Sequence, residues 1–187
     1  MFNKPQPVKL YSIGQCFRHE RPQSGRLRQF SQIDFEVLGE KNPIVEVQLI
    51  HIAYTLFKEL GLDIVVHVNS LGSQDCRPLY REALVNYYKT AMPKALRDEY
   101  KKELKKNPLR LLDSKDKKLQ ELKDGAPQIL DYLDDDSKKH FFTVLEYLDD
   151  LEIPYNLDAS LVRGLDYYTH TVFEFYHNTE NGNNGSQ

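Results

Sequence analysis

Between Tyr11 and Gly39 two apolar-rich runs flank a polar loop, and the second alternates apolar and polar residues with a period of two, the pattern of a strand with two unlike faces. One run ends in Phe17-Arg18-His19-Glu20, and a second extends from about Arg28 to Leu38. Between them lies a loop containing Pro22, Ser24 and Gly25. Pro fixes φ and Gly tolerates φ > 0, so the stretch predicts an antiparallel hairpin. The loop exceeds a tight two-residue turn, which suggests that it is used and not merely crossed. Alternation puts Phe30, Gln32, Asp34 and Glu36 on one face of the return strand and Ser31, Ile33, Phe35 and Val37 on the other. The second face is expected to pack on a core. The first carries an amide and two carboxylates, too polar for a dry interior without partners.

After the hairpin the period changes. Asn42-Pro43 predicts a helix start, because Asn can cap and Pro is tolerated in the first turn. An apolar stripe of Val45, Leu49, Ile52, Ala53, Leu56, Phe57 and Leu60 predicts one helix face, packed across the back of the sheet, with Gly61 as its stop. Leu62–Val68 reads as a strand ended by Asn69-Ser70-Leu71-Gly72. From about Leu71 to Asp150 the chain is charged and amphipathic at helical spacing: Leu79, Ala83, Leu84, Tyr87, Tyr88 and Met92, then Phe141, Phe142, Leu145 and Leu148. Breaks fall at Asn107-Pro108 and Gly125-Ala126-Pro127, and Ser137 is a candidate cap. A short extended stretch, Leu151–Leu157, precedes strand-like Tyr168–Phe175. The Asn/Gly/Ser-rich residues His177–Gln187 are expected to be mobile.

Composition narrows the classes. With 187 residues the chain can form one ordinary domain or two small ones. A net charge of -3 excludes bulk electrostatic attraction to nucleic acid, so RNA contacts would need local patches such as Lys94–Lys106. Cys16 and Cys76 have no metal-binding spacing and suggest a reducing compartment. No apolar run approaches the ~20 residues that span a bilayer, and the N-terminus is unlike a secretory signal. The default expectation is a soluble cytoplasmic protein with no membrane partner.

Arg18, Arg21, Arg26 and Arg28 surround the hairpin loop with only Glu20 against them. Guanidinium groups offer permanent charge and bidentate donors suited to a polyphosphate, although a solvated basic loop has the same composition. FRHERPQSGRLRQFSQIDFE, residues 17–36, resembles motif 2 of the class II aminoacyl-tRNA synthetases and is specifically similar to the histidyl-tRNA synthetase family. LVRGLDYYTHTVFEF, residues 161–175, resembles the histidine signature of the same family. Asn107–Lys115, NPLRLLDSK, is similar to a string in the helical insertion of its bacterial-type members.

The resemblance implies an α+β fold: an antiparallel class II synthetase-like sheet with a flanking helix, plus an all-α insertion domain. Its parts would be residues 1–70 and 151–187 of the catalytic core and 71–150 of the insertion. It also implies an internal piece of a catalytic domain, without motif 1, motif 3 or an anticodon domain. The implied activity is histidine–tRNA ligase: ATP-dependent activation of histidine and transfer to tRNA(His). By the same resemblance Arg18 and Arg163 are catalytic, approaching the α-phosphate. Glu20 sits near the adenine amino group, Phe30 stacks on the adenine and Arg26 reaches the terminal phosphates. Gln32 contacts the α-amino group, Glu36 and Tyr168 read the imidazole, and Tyr167 is a pocket residue beside them. Magnesium accompanies ATP as substrate, and no protein-bound metal site is expected. The implied partners are histidine, ATP, the acceptor end of tRNA(His) over the insertion, and a second copy in a full-length homodimer. The alternative is a catalytically inactive regulatory subunit of histidine biosynthesis that binds histidine. Asp34, His19, His140 and His170 carry no expected role beyond local structure.

Overall fold

A computed structural model describes residues 5–19, 22, 25–163 and 167–178. The chain divides into two compact units, Met1–Asp63 with His177–Gln187, and Ile64–Tyr176. Glu20 and most of the tail expected to be mobile lie outside the described residues.

In the first unit β1 (Val8–Phe17) pairs antiparallel with β2 (Gln29–Leu38), as the alternation predicts. Arg18 extends the ladder by one bond, its N–H donating to the Arg28 carbonyl at 2.8 Å. Helix α1 (Pro43–Glu59) follows, and the Asn42 side chain accepts from the Ile44 N–H at its start. Leu60 closes the helix, and Gly61 beyond it takes a left-handed φ of 74°.

Two expectations for this unit are corrected. Val47 and Ile50 are the buried side chains of α1, whereas Ile52, Leu56 and Leu60 of the predicted stripe are exposed. Apolar residues are so dense here that two helix faces fit the period, and the buried one is rotated away from the predicted one. The Ile33/Phe35 face of the hairpin does not pack on a core either: those side chains are 49% and 38% exposed. Tyr11 and Ile13 face them across the ladder and are more open still. One two-stranded ribbon and one helix have too little surface to cover both faces.

The second unit contains β3 (Ile64–Ser70), helices α2 (Arg77–Ala91), α3 (Lys94–Glu99), α4 (Lys101–Lys106), α5 (Lys117–Gln120) and α6 (Asp135–Asp150), then β4 (Tyr155–Leu157) and β5 (Thr171–His177). Its sheet has the order β4–β3–β5, with β3 and β4 parallel. A single 3-10 turn at Pro108–Leu111 replaces helix at the first predicted break, and another at Ile129–Tyr132 follows the Gly125-Ala126-Pro127 break. The core gathers Tyr80, Leu84 and Tyr88 of α2 against Leu109, Leu119 and Ile129. Arg81 and Arg97 donate to the carbonyls of Lys106 and Lys89, satisfying groups that helix ends leave without intrahelical partners. Leu79 and Phe142, predicted on apolar faces, are instead 64% and 60% exposed. The cap of α6 is Asp134, whose carboxylate accepts from the Ser137 N–H at 2.7 Å. Ser137, the predicted cap, is the buried recipient of that capping.

Candidate functional site

The hairpin register decides which side chains share a face. Leu10 lies opposite Glu36, Ser12 opposite Asp34, Gly14 opposite Gln32, and Cys16 opposite Phe30. Directly opposed residues of an antiparallel pair point to the same side. Arg18 follows Cys16 by two residues and joins them, its guanidinium carbon 3.9 Å from the centroid of the Phe30 ring. Arg18, Phe30, Gln32, Asp34 and Glu36 therefore lie on one face. Arg18 and Phe30 are half-buried, while Gln32 and Glu36 are exposed. A cation over a ring holds both groups in place and leaves the outer guanidinium edge free to meet an anion. Arg26 is exposed near the loop.

Asp34 sits at the centre of this face. Its Oδ2 accepts from Ser12 Oγ at 3.2 Å, and its Oδ1 accepts from Gln32 Nε2. The sequence reading assigned Asp34 no role. Alternation put it beside Gln32, but its Ser12 partner needs the cross-strand register.

In the second unit the histidine-signature segment is held against the end of β3. Buried Asn69 donates to the Leu161 carbonyl at 3.0 Å. The Leu71 N–H donates to the His170 carbonyl at 2.7 Å, and the His170 N–H to the Gly72 carbonyl at 3.0 Å. Gly72 has φ 63°, and a Cβ there would lie 2.8 Å from Leu133 Cδ2, so the close approach needs glycine. Arg77 of α2 donates to the Tyr168 carbonyl. This anchor comes from the helical segment and carries no sequence signal that pointed to it.

These anchors present Arg163, Tyr167 and Tyr168 together. The Arg163 guanidinium lies 5.0 Å over the Tyr168 ring, and the two tyrosine rings stack at 4.6 Å. Hydrogen bonds from Tyr167 and Arg163 stabilise the oxygen of Tyr168 and lower its pKa. Tyr167, which donates to Tyr168, is raised. Residues 164–166, inside the signature, lie outside the described residues.

A separate polar group joins His67 and Asp158 at 3.2 Å, with the Tyr176 ring 4.3 Å from the imidazole. Among the described residues no group of three His, Cys, Asp or Glu is placed to hold a metal. Nor is any helix there long and apolar enough to cross a membrane.

The sequence profile described as Histidyl-tRNA synthetase matches residues 1–183. The chain belongs to the histidyl-tRNA synthetase family. It is 51% identical to the Histidine--tRNA ligase of Streptococcus thermophilus (strain CNRZ 1066) over 176 residues, 94% of this chain and 41% of that protein. The Streptococcus mutans serotype c Histidine--tRNA ligase is 50% identical over 171 residues, 91% of the chain and 40% of the relative. The crystal structure of apo Staphylococcus aureus histidyl-tRNA synthetase superposes with a TM-score of 0.69 at 35% identity, covering 92% of this chain and 40% of that one. The chain thus spans about two-fifths of the length of the relatives it matches. The fold is α+β and similar to a class II histidyl-tRNA synthetase, as the motifs imply.

Proposed function

We propose that this chain supplies part of the catalytic domain of a histidine–tRNA ligase, which activates histidine with ATP and transfers it to tRNA(His). The observation that carries this reading is the hairpin face in a chain of this family: a guanidinium stacked on Phe30, in line with Gln32 and Glu36. Activation brings a carboxylate to the α-phosphorus of ATP and expels pyrophosphate. Anion meets polyanion, so preorganised cations contribute most. Arg18 and Arg163 would take the α-phosphate, Arg26 the terminal phosphates, and Phe30 the adenine, with Glu20 at its amino group. Gln32 would meet the α-ammonium. Glu36 would accept from one ring N–H of histidine while Tyr168 donates to the other nitrogen, with Tyr167 beside it. Magnesium would arrive bound to ATP.

Residues 71–150 are the insertion in this proposal, facing the acceptor end of tRNA(His). A cavity of about 700 Å³ in that stretch supports an anionic partner, because Lys89, Lys94, Arg97, Lys101 and Lys105 line it against one acid, Asp98. The whole protein would act in the cytoplasm as a homodimer.

Histidine-dependent ATP–pyrophosphate exchange tests the proposal, measured on this chain and on any longer polypeptide that contains it. Exchange should appear in the longer form and fall about 10²–10³-fold in Arg18→Ala, the scale for removing one preorganised charge-stabilising group. Exchange that ignores Arg18, or that another amino acid supports equally well, overturns it.

A further inference from the structure

An amide can present either an acceptor or a donor to a ligand, and something must choose between them. For Gln32 the structure shows what chooses. Asp34 lies two residues on along β2, on the same face, and is half-buried where Gln32 is exposed. Ser12, opposite it in the ladder, donates to Oδ2 at 3.2 Å. Gln32 Nε2 donates to Oδ1. An ionised carboxylate offers acceptors only, so the amide edge facing it must be the NH2 group. The carbonyl oxygen of Gln32 then faces away from Asp34. Gly14 stands opposite Gln32, and a Cβ there would meet nothing within 4 Å, so the space beside the amide is open.

We propose that Asp34, braced by Ser12, is a positioning residue that fixes Gln32 as an acceptor and so commits this end of the site to an ammonium group and not a carboxylate. The inference rests on the reading of Gln32 as the contact to the α-amino group of histidine. Without Asp34 the amide can turn over and offer its NH2, which does nothing for an ammonium.

The test compares histidine with imidazole-4-propionate, which keeps ring and carboxylate but lacks the ammonium, by titration calorimetry on the full chain. Asp34→Asn preserves shape and removes the lock, since its own amide can donate or accept. It should weaken histidine about tenfold, the lower end for one hydrogen bond to a charged group, and leave imidazole-4-propionate within about twofold. Ser12→Ala keeps the carboxylate charge but frees its orientation, and should erode the same preference by about threefold. Asp34→Glu restores the charge on a longer arm and should recover only part of it.

Equal losses for both ligands in Asp34→Asn would overturn the proposal. So would full recovery in Asp34→Glu with no change in Ser12→Ala, because charge alone would then account for the effect. The reading of Gln32 is tested separately by Gln32→Ala. If that variant abolishes the preference while Asp34→Asn keeps it, only the role of Asp34 falls. If Gln32→Ala leaves the preference intact, or the chain shows none, the reading of Gln32 falls and takes this proposal with it.

Discussion

The two units differ most in how much apolar surface each buries for itself. In Met1–Asp63 the fully buried apolar side chains among the described residues are Val47 and Ile50. In Ile64–Tyr176 a continuous core runs from Cys76 through Leu84, Leu109 and Leu119 to Leu133. The hairpin that carries the proposed nucleotide chemistry also leaves Tyr11, Ile13 and Ile33 open on its other face. Two strands and one helix are marginal by themselves. Most of the proposed nucleotide contacts therefore stand on the thin part of the chain, while Arg163, Tyr167 and Tyr168 stand on the part that holds itself together. Stability and activity should separate cleanly under mutation.

Deleting packing in each unit breaks that comparison most directly. Leu84 is fully buried, so Leu84→Ala should cost about 2–5 kcal/mol, the lost transfer free energy plus a cavity. Ile33→Ala removes an exposed member of a cross-strand pair with Ile13 and should cost less than about 1 kcal/mol. Urea unfolding followed by helical circular dichroism measures both. Similar costs would mean that the apolar hairpin face is covered in solution.

Charge sharpens the contrast in the other direction. Reversing Lys101 and Lys105 to Glu changes two cations at the rim of the basic cavity without touching the core. Binding to a tRNA(His) transcript should weaken, and the slope of log affinity against log salt should flatten by about two. Histidine-dependent exchange should be unaffected. An unchanged slope would remove this cavity from the tRNA contact surface.

The capping of α6 gives a smaller effect with a sign fixed by pH. The Ser73 hydroxyl donates to Asp134 at 2.6 Å, and with the Ser137 N–H it holds the carboxyl below its ordinary value. A folded-state pKa below the unfolded one contributes stability that is present above the unfolded value. That stability is lost as pH falls through the folded one. Asp134→Ala should cost about 1 kcal/mol at neutral pH. Between about pH 5 and pH 2 the variant's urea midpoint should fall less steeply than that of the parent chain. Parallel acid slopes would show that Asp134 does not carry this linkage.

Much of this architecture was legible in the residues, and the failures share a cause. Asn42, Gly61 and Asn107-Pro108 act locally through capping and steric restriction, so they marked boundaries correctly. Asp134 was missed because four consecutive residues, Asp134 to Ser137, can each cap, and only the backbone decides which one does. The buried face of α1 was missed because composition allowed two faces. The motifs named Arg18, Gln32 and Glu36. That Asp34 orients Gln32 depends on which β1 residue stands opposite, and a loop of irregular length hides the register. The hold of Arg77 on Tyr168 joins residues 91 positions apart, beyond any local pattern.

The smallest expected effect tests the well-packed unit at its own weak point. Tyr80 and Tyr88 belong to the same core as Leu84, and their buried hydroxyls meet no hydrogen-bond partner among the described residues. Burial raises both, with Tyr88 pushed up to about 12, so neither ionises near neutral pH. A buried hydroxyl that lacks a partner has given up its water hydrogen bonds and gained none in return. Tyr88→Phe keeps the ring and its edge contact with Tyr87 at 5.3 Å while removing that oxygen. Its urea midpoint should therefore match or slightly exceed that of the parent chain, within about 1 kcal/mol. A clear loss would mean that the hydroxyl is paired in solution. The two tyrosines would then hold a specific polar contact inside the helical core, and its strength would rest on more than apolar packing.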